Sequence, residues 1–169
     1  MTDAATPRDP IVEFWQAARG RIKDGGLLAA LHEVNSSQLV TPPAWSFGDS
    51  PELADSLLEL VLSGVKTATS SALAEYGPDD PLPRVGELSI LLDGAGNPRA
   101  LIQTTEVVQT TFGAVDGEFA AAEGEGDLSL AHWRGGHEAY WRRVLAGLDE
   151  PVEFTEALPI ICERFKLVL

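Results

Sequence analysis

The sequence predicts an α+β fold, a small curled sheet or β-barrel flanked by helices, preceded by an N-terminal helical extension. Three observations carry this reading. The segments "ELSILLD" and "RALIQTTEVVQTTF" are rich in Ile, Leu, Val and Thr and are joined by "DGAGN", so two long strands meet at a turn. The C-terminal "LPIICERFKLVL" sets Ile160, Cys162, Phe165, Leu167 and Leu169 in strand alternation, apart from a shift near Arg164. Between connector and hairpin, "FGDSPELADSLLELVLSGVK" carries helix punctuation at both ends.

Taken in order, residues 10–39 read as helical. Ile11, Phe14, Trp15 and Ala18 share a face, Gly25-Gly26 breaks the pattern, and a short helix is expected from Leu27 to Val34, with His32 at its surface or core edge. The prolines of "TPPAW" make an extended connector, since they lack amide donors and bias their neighbours away from helix. This divides the chain into an extension and connector, residues 1–43, and a main domain, residues 44–169. In the helix that follows, Asp49 or Ser50 can cap, Pro51 and Glu52 suit the first turn, Leu53, Leu57, Leu60 and Val61 form the apolar stripe, and Gly64 is the stop. After the loop "YGPDDPLPRVGE" and the hairpin, the chain from Val115 is helical and loop-like. "EGEGD" interrupts it, and Asp127 or Ser129 can cap "LAHWRGGHEAYWRRVL".

With 169 residues, 44% hydrophobic and 22% charged, the chain is large enough to bury a core. A lone cysteine, Cys162, excludes an internal disulfide and fits a reducing compartment. No Cys/His cluster has metal-ligand spacing, and neither a metal nor a cofactor is expected. No segment nears the length of a membrane span, so the expectation is a cytoplasmic protein that does not engage membranes. From Ala44 to Trp133 fifteen acidic residues face three basic ones, Lys66, Arg84 and Arg99. Duplex DNA binding draws on many cationic contacts and is disfavoured here. A pocket that reads one nucleotide or a loop is compatible with so few cations.

The chain has no P-loop, nucleophile elbow or H-E-x-x-H motif. Its most distinctive stretch is "GVKTATSS", where Lys66, the only lysine between Lys23 and Lys166, emerges just past a helix end and is followed by hydroxyl residues. A packed helix there can present a side chain in a fixed place. Lys66 offers a phosphate or carbonyl contact. Thr67 and Thr69 offer hydroxyls, which attack only if a base activates them, and Glu123 or Glu125 in the glycine-rich "AEGEGD" could be that base. Trp45, Asp49, Thr67, Ser71 and Glu123 are candidate substrate contacts. His132, His137, Trp133, Tyr140 and Trp141 form an aromatic helix face, either core or a stacking surface for bases. A different class is a non-catalytic protein-interaction module that displays these aromatics within an acidic rim.

From Trp45 to Leu169 the chain resembles the larger bacterial form of the ASCH domain. The carrying motifs are G-x-K-T-x-T after a helix, the "RVGE" strand entry, the "EGEGD" run and the final "ICERFKLV". The resemblance implies a PUA-like β-barrel whose cleft holds the lysine turn, and a ligand that is RNA, a nucleotide or a nucleoside. It also implies a hydrolase as one possibility, a ribonuclease or an amidohydrolase acting on a modified nucleoside. By similarity to the amidohydrolase members, the catalytic residues fall on Lys66, Thr69 and Glu125, with Glu123 as the alternative carboxylate. Where the small form has K-T-x-T-x-R, this chain has K-T-A-T-S-S, with Ser71 in place of the arginine.

Overall fold

A computed structural model describes residues 9–24 and 40–169. Helix α1 spans Pro10–Asp24, and the short strand β1 spans Ala44–Trp45. Helix α2, Pro51–Leu62, leads to strand β2, Ala68–Ala72. The hairpin is β3, Leu88–Leu92, and β4, Pro98–Thr111. Helices α3, Gly117–Glu123, and α4, Leu130–Ala146, precede the last strand, β5, Pro159–Leu167. The short helix expected over Leu27–Val34, with His32, lies outside the described residues.

The five strands form one mixed sheet in the order β1-β3-β4-β5-β2. β1 runs parallel to β3 and the other pairs are antiparallel. Among the described residues β1 and β2 remain as unpaired edges, so the sheet is open and the expected closed barrel is not formed. It is nevertheless curved. Residues of all five strands, from Trp45 on one edge to Thr69 on the other, line one chamber. Flat strands about 4.8 Å apart would hold those edges roughly 19 Å from one another.

The strand β5 is covered on both faces, which is why Ile160, Ile161 and Cys162 are all buried where simple alternation would expose one of them. The expected shift near Arg164 is not an irregularity of β5, which pairs with β2 in regular register; Ile160 and Cys162 pack in one cluster and Phe165, on the other face, in another, while the bulge lies in the neighbouring β4, between Thr104 and Glu106. Leu167 departs from the expected pattern and is exposed, whereas Val168 and Leu169 beyond it pack against the cluster under α1.

Three apolar clusters hold the layers together. α3 and α4 cover one part of the sheet, with Phe112, Phe119, Trp133, Trp141 and Leu145 packed on Ala68, Ala72, Ile160 and Cys162. α2 covers another, with Leu57, Leu58 and Val61 against Leu91, Ala100, Ile102 and Phe165. The apolar stripe of α2 is centred on Ala54, Leu57, Leu58 and Val61, so Leu53 and Leu60 flank it rather than form it. α1 lays Trp15 and Ala18 onto Leu88, Ile90 and Leu101.

That last contact makes α1 part of the core packing. Trp15 is 4% exposed. We expect Trp15→Ala to destabilise the whole chain by about 3–5 kcal/mol in urea unfolding. A change within about 0.5 kcal/mol, as for a surface substitution, would mean that α1 is a dispensable appendage.

Candidate functional site: a buried lysine at the mouth of a two-chambered cleft

Local backbone chemistry fixes Lys66 before any tertiary contact does. Ser50 caps α2 by accepting the Leu53 N–H at 3.2 Å. At the other end Gly64 turns into the left-handed region (φ 77°), and the Val65 and Lys66 amides both donate to the Leu60 carbonyl at 2.9 Å. The next residue is clamped from two sides: the Thr67 amide donates to Ala122 O at 2.8 Å, and its carbonyl accepts from Phe165 N at 2.9 Å. Gly124 ends α3 at φ 77° directly against this connection, where a Cβ would lie 2.8 Å from Val65 O and 2.9 Å from Lys66 N. Only glycine meets both demands. The lysine turn and the "EGEGD" run are therefore packed backbone to backbone.

The Lys66 side chain points inward and is 2% exposed. Its ammonium donates to Glu125 Oε1 at 2.8 Å, Glu123 Oε2 at 3.1 Å and the Glu123 carbonyl at 3.2 Å, and it lies 5.3 Å from the Phe47 ring centre. Three protons meet three oxygens, so the ammonium is satisfied by the protein alone. Glu123, 1% exposed, is equally well served. One oxygen accepts from Ser70 Oγ at 2.6 Å and Trp133 Nε1 at 3.0 Å, while the other faces Lys66 and, at 3.5 Å, His137 Nε2.

Burial by itself would push the Glu123 carboxyl up. The Lys66 charge, His137 and the Ser70 hydroxyl outweigh it and hold the group down to about 2. Burial would likewise lower His137, but its hydrogen bond and attraction to Glu123 prevail and raise it. Its Nδ1 also meets the Trp133 carbonyl at 2.9 Å, so both ring nitrogens face acceptors, as an imidazolium prefers. Glu123, Glu125 and His137 offer oxygen and nitrogen atoms all within 4.8 Å of one another, a donor set of the kind that binds metals. Here the Lys66 ammonium sits among the two carboxylates and, with the His137 imidazolium, balances their charge.

Two chambers open from this centre. The narrower, about 280 Å³, is lined by Lys66, Thr69, Ser70, Glu125, His137 and Arg143 with apolar walls that include Phe47. The wider, about 420 Å³, extends over the sheet past Trp45, Tyr76, Glu87 and Glu163. They share Phe47, Gly48, Thr69, Ser70 and Tyr140, so they are two parts of one cleft.

Of the residues predicted from sequence, Lys66, Glu123 and Glu125 meet directly, and Thr69 lies beside them on the cleft wall. Trp45 and Ser71 line the wide chamber, and Ser71 shares a 2.9 Å hydrogen bond with Tyr76 OH. Thr67 does not reach the cleft; its hydroxyl donates to Ala122 O at 3.3 Å and so fastens the turn. Asp49 pairs at the surface with Arg143 at 2.9 Å.

Sequence reasoning missed Ser70, His137, Tyr76 and Glu163 as site residues. Ser70 stands in the same hydroxyl run, but its neighbours gave no reason to prefer it. His137 follows Trp133 by one helical turn, and their rings stack at 4.3 Å inside the protein. Trp133 and Trp141 are buried, which removes most of the aromatic surface on which a protein-interaction module would rest.

The comparisons with known proteins agree with this architecture. Residues 43–169 match the ASCH domain family, and the chain belongs to it. A protein of Enterococcus faecalis V583 superposes with a TM-score of 0.76 at 32% identity, over 94% of this chain and 87% of that one. The ASCH domain of Lactobacillus crispatus JV V101 gives a TM-score of 0.71 at 32% identity, over 84% of this chain and 91% of its own. No curated protein matches the chain. Among the described residues, no helix is long and apolar enough to cross a membrane.

The site also makes stability depend on pH in a defined way. Glu123 is depressed from 4.5, so its contribution is present above about pH 4.5 and is lost as pH falls toward 2. His137 is raised above 6.5, so its contribution is complete below about pH 6.5 and declines as pH rises through the folded-state value. Urea unfolding across this range should show both limbs, and His137→Gln should flatten the alkaline one. An unchanged alkaline limb would mean that His137 is not charged in the folded protein. Gly124→Ala should cost more than the 1 kcal/mol typical of substitutions, because it adds a clash to left-handed strain.

Proposed function

We propose that this ASCH domain recognises RNA, a nucleotide or a nucleoside, with the ligand seated in the two-chambered cleft. The observation that carries the reading is a fixed, charge-balanced centre of Lys66, His137, Glu123 and Glu125 opening onto a chamber walled by Trp45, Phe47, Tyr76 and Tyr140. Aromatic side chains supply stacking faces for an unpaired base, worth about 1–3 kcal/mol each. The few cations of the cleft, Lys66, His137 and Arg143, are gathered at one chamber and suit one small ligand rather than a long phosphate backbone. Membership of a family often regarded as RNA-binding supports the same reading.

A hydrolytic role is favoured by one further observation, the unequal burial of the two carboxylates. Glu123 is enclosed and serves as the permanent counterion, while the Glu125 side chain is 26% exposed and faces the narrow chamber. Since all three ammonium protons are engaged, a ligand carbonyl or phosphoryl oxygen can reach Lys66 only by taking the place of Glu125. That exchange polarises the ligand and releases Glu125 to act as general base. Thr69, on the wall common to both chambers, would then attack or position a water.

The test is a panel of modified nucleosides and short single-stranded RNAs, read for binding by calorimetry and for products by mass spectrometry. We expect binding of at least one member. For any substrate found, Glu125→Gln should lower kcat about 10²-fold or more with the fold unchanged. Turnover within a few-fold of the parent would remove Glu125 as base, and a panel with no ligand at all would overturn the recognition reading. Lys66→Ala is the poorer probe, because it strands the Glu123 charge in the interior at about 3–5 kcal/mol. Lys66→Arg should not restore function, since a planar fork cannot reproduce three tetrahedrally placed donors.

A further inference from the structure

Resting on that reading, we infer that the wide chamber is the specificity pocket for a planar group that donates N–H hydrogen bonds, an amino-bearing nucleobase, and that Glu163 selects it. The chamber's volume, about 420 Å³, lies within the roughly 300–1,000 Å³ of small-molecule sites. Trp45 and Phe47 lock edge to face at 4.9 Å, so the aromatic wall beside it is preformed.

The polar lining is one-sided. No Lys, Arg or His lines the wide chamber, whereas three carboxylates do, Glu75, Glu87 and Glu163. They are not equivalent. Glu75 Oε2 already accepts from Ala72 N at 2.6 Å and Trp141 Nε1 at 3.0 Å, and Glu87, which accepts from Arg84 N at 3.0 Å, is exposed to water, whereas Glu163 is partly buried. Glu163 receives only the Thr104 hydroxyl, at 3.3 Å, on one oxygen, and its other oxygen takes no hydrogen bond from the described residues. It stands on β5 directly opposite Thr69 of β2, next to the catalytic candidates. Burial pushes its carboxyl upward, as expected of a carboxylate short of donors.

The shared wall reinforces this bias. Ser70 spends its proton on Glu123 at 2.6 Å and so turns lone pairs toward the cleft. The Lys66 protons are engaged as described. A nucleobase bearing an exocyclic amine supplies what these acceptors lack. A phosphate in the same chamber would meet like charges with no cation to offset them, a costly arrangement. The neutral hydroxyls of Ser46, Ser89 and Thr104 can accept or donate, which leaves the discrimination to the carboxylates.

The experiment is isothermal titration of the full chain with two matched pairs, cytidine against uridine and adenosine against inosine, which differ by an amine in place of a carbonyl, and with cytidine 5′-monophosphate. The amino member of at least one pair should bind about tenfold or more tightly, a difference of roughly 1.4 kcal/mol. Glu163→Gln, which presents a donor as well as an acceptor, should reduce the preference to within about threefold with the unfolding temperature retained. Should that variant fail to fold, the parent's own amine-to-carbonyl ratio still decides the matter. Equal affinities within both pairs would overturn the inference and leave nucleoside recognition standing. Binding of none of the five would overturn both.

Discussion

The structure is organised around one ion pair, the enclosed contact between Lys66 and Glu123. Taking two charges out of water is costly, and the cost is offset only when every proton and lone pair finds a partner. That requirement explains much of the local sequence. Ser70, Trp133 and His137 are needed to complete Glu123, and Glu125 and the Glu123 carbonyl to complete Lys66. Their backbones belong to β2, α3, α4 and the segments between them, so satisfying one pair fixes the relative placement of three elements.

The fold was legible wherever a single periodicity decided the outcome. The helix Pro51–Leu62, the hairpin and the last strand follow from capping residues, turn chemistry and alternation, whereas the break in alternation near Arg164 comes from a change in which face of β5 is covered. Closure of the sheet was not legible, because it depends on whether the two-residue strand Ala44–Trp45 can pair with β2, and local sequence does not encode that contact. At the site, Lys66 and the two glutamates were legible because an isolated cation and a glycine-rich acidic run are both unusual in this chain. Ser70 and His137 were not, since their importance comes from reaching a carboxylate 53 and 14 positions away in the chain. Thr67 illustrates the opposite case, a chemically apt side chain in the turn that the backbone directs elsewhere, while Asp49 holds Arg143, which lines the narrow chamber.

The difference between the two glutamates of "EGEGD" is a difference of burial imposed by one residue. Gly124 ends α3 in the left-handed region, which leaves Glu123 on the inside of the last helical turn and carries Glu125 round to the cleft. Two residues of identical chemistry thereby acquire opposite relations to water. One is a structural anion and the other is available to exchange partners.

The ammonium at the centre of this acidic pocket also has a consequence for what the site can sense. A charge-bearing group attached through a side chain, unlike a bound ion, cannot be chelated, diluted away or replaced by a competing ion. The charge that awaits an incoming ligand is thus set by translation rather than by the supply of ions in the surroundings. In return the group cannot leave during a reaction cycle, so an incoming ligand must displace one of its partners, and Glu125 is the one on the cleft side.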